Sequence, residues 1–162
     1  MAMSERLAQL LVSEHAPYRL LPHDDAIDAA HLAAVSHVSG RALAKGVVLR
    51  DAGGEFLMMV VPAHCQLDLG MAARATGRPG LRLATEAEFA PLFPDCQLGA
   101  MPPFGDLYGL PVYVDGCLRA APEIFFRGGT HHELVGMRFA DYQSLAKPVT
   151  SQWCFHSMAK AA

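Results

Sequence analysis

Leu7, Leu10 and Leu11 recur at helical spacing behind Ser4, so residues 4–15 are predicted as an amphipathic helix that starts on a serine cap and ends before Pro17. A short apolar strand follows over 18–21. Asp25 then caps a second, alanine-rich helix through 26–37, and Gly40 separates it from a short helical turn over 41–46. The β-rich runs 46–50 and 56–61, joined by a turn containing Gly53 and Gly54, form the clearest strand pair in the chain. Residues 66–77 read as a helix ending at Gly77, and 81–84 as a strand. Residues 85–93 read as a helix in which Thr85 and Glu88 make a capping box. Further strands are expected over 111–115, 123–129 and 132–139, and a last helix over 140–148 is stopped by Pro148. The tail, 150–162, shows no period and is expected to dock through Trp153 and Phe155.

Strands and helices interleave here without a regular strand–helix–strand alternation. The pattern therefore implies an α/β (α+β mixed) fold, one compact domain over 1–162 with helices around a mixed sheet. A chain of 162 residues suits a single core. Its 52% hydrophobic and 18% charged content places it among globular rather than disordered chains.

A formal charge of −3 without any Lys/Arg run argues against DNA or long stretches of nucleic acid as a partner, although the end of an RNA stays open. Arg41, Arg50, Arg74, Arg78 and Arg127 make a modest basic rim if the fold gathers them, and ordinary surface charges otherwise. The N-terminus interrupts its apolar stripe with Glu5, Arg6 and Glu14, unlike a secretory signal, and no apolar run is long enough to span a membrane. Cys65, Cys96, Cys117 and Cys154 contain no CxxC pair and are expected to be reduced, as in a cytoplasmic protein.

Candidate chemistry is narrowed mostly by exclusion. Eight histidines include no HxxxH or HExxH pair, and on a strand His131 and His132 would face opposite ways, so neither a metal nor another cofactor is expected. No serine sits in a GxSxG elbow, no phosphate-binding glycine motif is present, and His64 beside Cys65 is a weak nucleophile–base signal. Lys45, in the small apolar setting RALAKGVVL before a strand, is either a solvated edge residue or a fixed charge for a ligand. The stretch Gly99, Ala100, Met101, Pro102, Pro103, Phe104, Gly105 combines stiff prolines with permissive glycines. It is either a rigid turn feeding strand 111–115 or a backbone cradle for a substrate.

Taken in order, ALAKGVVL at 42–49, VVPAHCQLDLGMAARATG at 60–77, LRLATEAEF at 81–89, LGAMPPFG at 98–105, PVYVD at 111–115 and IFFRGGTHHELVGM at 124–137 resemble the YbaK/prolyl-tRNA synthetase editing-domain family. The resemblance runs over nearly the whole chain. It implies a compact YbaK-like domain with a mixed, mainly antiparallel, barrel-like sheet and surrounding helices. It also implies hydrolysis of the ester of a mischarged aminoacyl-tRNA carrying a small amino acid. On this resemblance Lys45 is the key lysine that engages the 3′ CCA end. Residues 99–105 line the aminoacyl pocket, Gly128, Gly129 and Thr130 close its other side, and His131 follows them as a further substrate contact. An aminoacyl-tRNA synthetase is a further candidate partner. Phe126 and Arg127 stand where some editing domains carry a histidine, so no catalytic histidine is carried over. That departure keeps open a non-catalytic module of the same fold that binds tRNA ends or a small ligand.

Overall fold

A computed structural model describes residues 3–23, 39–151 and the backbone of 156–158. The helix expected over 26–37 and the docking residues Trp153 and Phe155 lie outside that set.

Helix α1, Glu5–Ser13, is capped by Ser4, whose side chain accepts from the Leu7 N–H, and it buries Leu7 and Leu11. Strand β1 is Arg19–Pro22. The hairpin consists of β2, Ala44–Arg50, and β3, Phe56–Pro62, paired antiparallel from Ala44↔Pro62 to Arg50↔Phe56. The Asp51 carboxylate holds its turn by accepting from Gly53 and Glu55 N–H.

The hairpin corrects one expectation. Residues 44–46 continue β2 rather than forming a helical turn, because the pairing with β3 runs on through Lys45↔Val61. Ladder hydrogen bonds over the full length of β3 override the local helix preference of alanine and lysine.

Strand β4, Cys65–Leu67, pairs antiparallel with β10, 156–158, where a helix starting at residue 66 and a docking tail without periodic structure were expected. Helix α2, Leu69–Thr76, then begins on the Asp68 cap and ends at Gly77 in the left-handed conformation, φ 68°. Strand β5 is only Arg82–Leu83. Helix α3, Glu86–Phe89, carries the expected Thr85/Glu88 capping box and tightens into a 3₁₀ turn at Ala90–Leu92. Strands β6 (Val112–Val114), β7 (Glu123–Arg127) and β8 (Glu133–Arg138), helix α4 (Phe139–Ala146) and strand β9 (Val149–Thr150) complete the order.

The strands form a mixed sheet β5-β2-β3-β6-β9, an antiparallel sheet β1-β8-β7 and the pair β10-β4. β6 runs parallel to both β3 and β9, and the other pairs are antiparallel. The continuous apolar run of β3 makes it the central strand. Met58 and Val60 enter a core shared with Val48, Phe104, Phe126 and Tyr142, while Leu57, Met59 and Val61 enter a second core over Leu49, Ala72 and Leu81. A bridge between Leu43 and Phe125 ties the start of β2 to β7. Lys45 therefore lies where the two larger sheets meet.

Among the described residues no helix is long and apolar enough to cross a membrane. Cys65 and Cys96 are free thiols, whereas Cys117 is disulfide-bonded, against the expectation of four reduced cysteines. A disulfide depends on the approach of two backbones in space, which sequence separation does not reveal.

Candidate functional site

A small cavity of about 40 Å³ is lined by Lys45 together with Leu43, Gly46, Gly99, Met101 and Arg127. Three separate segments meet there: the start of β2, the loop before residue 105 and the end of β7. Lys45 is half-buried, and among the described residues no carboxylate pairs with it. Burial pulls its ammonium below the usual lysine range; a Cys65 thiolate would oppose that shift. Burial first, and Asp115 second, push the Cys65 thiol up, so at neutral pH the sulfur is protonated and offers Lys45 no countercharge. Cys65 Sγ lies 3.3 Å from His64 Nε2, yet a buried thiol with a raised pKa is a poor nucleophile.

The segment 99–105 divides into two parts. Gly99 is exposed with φ +84°, a conformation L side chains rarely adopt, and its carbonyl accepts from Arg127 Nη1 at 3.3 Å. Met101 is half-buried against the cavity. Ala100 and residues 102–105 are buried. The Phe104 ring packs 5.5 Å from Phe126 and 5.2 Å from Tyr142, and the Tyr142 hydroxyl donates to the Pro103 carbonyl at 2.7 Å. A Cβ on Gly105 would come within 3.3 Å of Val112, Met58 and Leu110, so glycine here serves close approach. The proline pair thus anchors the loop in the core, while Gly99 and Met101 reach the cavity.

Gly128, Gly129 and Thr130 are buried, and none of them lines the cavity. Gly129 is bound on both sides to the loop: its N–H donates to Ala100 O and its carbonyl accepts from Gln97 N–H, each at 2.8 Å. His131 continues the seam, with its N–H on Gln97 Oε1 and its ring Nε2 on the Leu98 carbonyl, both at 2.7 Å. A carbonyl accepts only, so Nε2 is the donor in this contact. His131 and His132 lie in the turn before β8.

Arg127 is the residue the sequence pattern undervalued. Read there as a departure from the family pattern and as a rim charge, it places a second cation on the Lys45 cavity. Its signal was its place immediately before Gly128-Gly129. Of the other rim candidates, Arg50 pairs with Glu88, and Arg78 with Asp51 at 2.8 Å. Arg41 lines a separate, larger cavity of about 640 Å³ with Ser39, His64, Glu123 and Phe125. No group of three or more metal-ligating side chains occurs among the described residues.

A mixed α/β fold thus brings two cations, Lys45 and Arg127, to one small cavity. A model of the aminoacyl-tRNA editing domain family matches residues 23–145, so the chain belongs to that family. Among solved structures, a candidate trans-editing enzyme for prolyl tRNA synthetase is 27% identical, with TM-score 0.76 over 93% of this chain and 96% of that one. The hypothetical protein APE2540 shares the fold at 21% identity, with TM-score 0.79 over 90% of this chain and 97% of that one. A signal transduction protein, so named as a candidate, from Marinobacter aquaeolei VT8 carries the fold at 22% identity and TM-score 0.71; the match covers 91% of this chain and 30% of that one. No curated protein matches the chain significantly.

Proposed function

We propose that this protein is a trans-editing deacylase that hydrolyses the ester of a small amino acid mischarged onto tRNA, with Lys45 as the central residue of the site. The observation that carries the reading is the half-buried Lys45, which meets no carboxylate among the described residues, beside Gly99, Met101 and Arg127 in a chain of the editing family. The cavity has room for about two or three water molecules, which suits a methyl or hydroxymethyl group and excludes larger side chains by contact.

An aminoacyl ester is already activated, so the site needs a water, a fixed carbonyl and positive charge rather than a strong protein nucleophile. Water oxygen attacks the ester carbonyl to give a tetrahedral oxyanion. The bond to the ribose oxygen then breaks, that oxygen takes the proton given up by the attacking water, and free amino acid and tRNA leave. Lys45 and Arg127 supply charge for the oxyanion or for a terminal phosphate. The partners in this reading are the 3′ CCA end of an aminoacyl-tRNA and a synthetase that holds the tRNA body.

A second reading, a non-catalytic module that binds tRNA ends, draws on the engagement of His131 Nε2 by the Leu98 carbonyl. The two separate in a deacylation screen over tRNAs charged with Ala, Ser, Thr and Cys esters, with folded Lys45→Ala as the control. Hydrolysis of at least one ester, reduced at least tenfold by Lys45→Ala, is expected. A protein that binds the charged tRNAs yet leaves every ester intact would establish the second reading instead.

A further inference from the structure

The first turn of α1 is part of the same hydrogen-bonded assembly as the cavity walls, although none of its residues lines the cavity. Ser4 is fully buried. Its N–H donates to Gly128 O at 2.7 Å, and its Oγ lies 2.7 Å from Asp95 Oδ2 and 2.6 Å from the Tyr108 hydroxyl. Tyr108 also donates to Asp95 Oδ1 at 2.8 Å, and the Arg6 N–H donates to Oδ2 at 3.1 Å. One carboxylate thus draws both hydroxyls together, Ser4 onto Oδ2 and Tyr108 onto Oδ1. The assembly is tight on the glycine side as well, since a Cβ on Gly129, φ +113°, would sit 2.7 Å from Ser4 N.

From this hub the bonds close into a ring. Asp95 leads in two residues to Gln97, which holds Gly129 through its backbone and His131 through its side chain. Gly129 returns to Ala100, next to Gly99, and Gly99 holds Arg127. Gly99 and Arg127 are two walls of the Lys45 cavity, and both are fixed by bonds that lead back to Ser4.

We infer that Ser4, Asp95 and Tyr108 are positioning residues for the site: the Ser4–Asp95–Tyr108 hub holds the Gly99 and Arg127 walls at their distance from Lys45. This rests on the deacylase reading above. The inference follows from scale, because a cavity of about 40 Å³ loses its fit when a wall moves by about 1 Å, a displacement that can cost on the order of a hundredfold in rate. Packing of α1 alone would predict otherwise, since Leu11 anchors the same helix in the core without joining the ring.

The test compares Ser4→Ala and Tyr108→Phe with Leu11→Ala, measuring kcat and KM on the mischarged tRNA that the wild type hydrolyses, well below each melting temperature. Ser4→Ala and Tyr108→Phe are expected to lower kcat at least tenfold with KM within about threefold, while Leu11→Ala lowers the melting temperature and keeps kcat within twofold. Amide exchange gives a readout that needs no activity: the Gly129 N–H should exchange at least tenfold faster in Ser4→Ala and unchanged in Leu11→Ala. Folded Ser4→Ala and Tyr108→Phe with wild-type kcat, or a Gly129 exchange rate unmoved by Ser4→Ala, would overturn the inference. A wild type inert toward every ester, with Gly129 exchange responding as expected, would instead remove the deacylase reading and leave the positioning hub standing.

Discussion

Replacing Lys45 by methionine should make the protein more stable and less active at once. Lys45 is half-buried, faces no carboxylate among the described residues, and has an ammonium that burial disfavours. Methionine keeps the length of the stem and removes the charge. Full burial of such a side chain contributes about 1.5–3 kcal/mol, so half-burial gives a gain on the order of 1 kcal/mol. For a domain of this size that corresponds to a rise in Tm of roughly 2–4 °C. The effect has a definite pH dependence. The lysine pKa is lower in the folded than in the unfolded chain, so the unfolded state binds more protons as pH rises through that window. Wild-type stability therefore climbs with pH toward 10.5, and the advantage of Lys45→Met shrinks over the same range. Urea melts of both proteins at pH 7 and pH 10, run beside deacylation assays, provide the measurement. A variant less stable than wild type by more than about 0.5 kcal/mol would show that the lysine has a structural partner and refute the argument; retained deacylation would refute the role of the charge.

Two other outcomes follow from the geometry. Phe104→Ala removes a fully buried ring from the cluster with Phe126 and Tyr142 and should cost about 3–5 kcal/mol in chemical denaturation, identifying the Pro-Pro stretch as core rather than as pocket wall. At Asp95, burial favours the neutral acid, but bonds from the Arg6 N–H, Ser4 and Tyr108 outweigh it and hold the carboxyl at about 2. Its contribution is therefore present above about pH 3.8 and lost as pH falls toward 2, so acid melts of wild type and Asp95→Asn should converge over that interval, and parallel curves would contradict the assignment.

Local patterns in the chain determined those parts of the fold that depend on neighbours in sequence. Ser4, Thr85 with Glu88, and Gly77 start or stop helices because caps act on N–H and C=O groups within one turn. The β2–β3 hairpin was legible for the same reason, through its glycine-bearing turn and apolar strands. The ends of elements were not. Lys45 joins β2 because the hairpin ladder runs on to Val61, past the local helix preference, and residues 65–67 become a strand because 156–158, far along the chain, complete their ladder.

The candidate site divides in the same way. Lys45 and the 99–105 segment stood out in sequence, one by its apolar setting and the other by its glycines and prolines. Which of those loop residues face a cavity was a tertiary outcome: Gly99 and Met101 do, while Phe104 completes a core built from β7 and α4. Arg127 reaches the cavity only because the Leu43–Phe125 bridge brings β7 beside β2. The union of Ser4 with Asp95 and Tyr108, 91 and 104 residues away, left no periodic trace at all. A hydrogen bond between distant residues constrains two positions without imposing a pattern on either, so only the folded chain displays it.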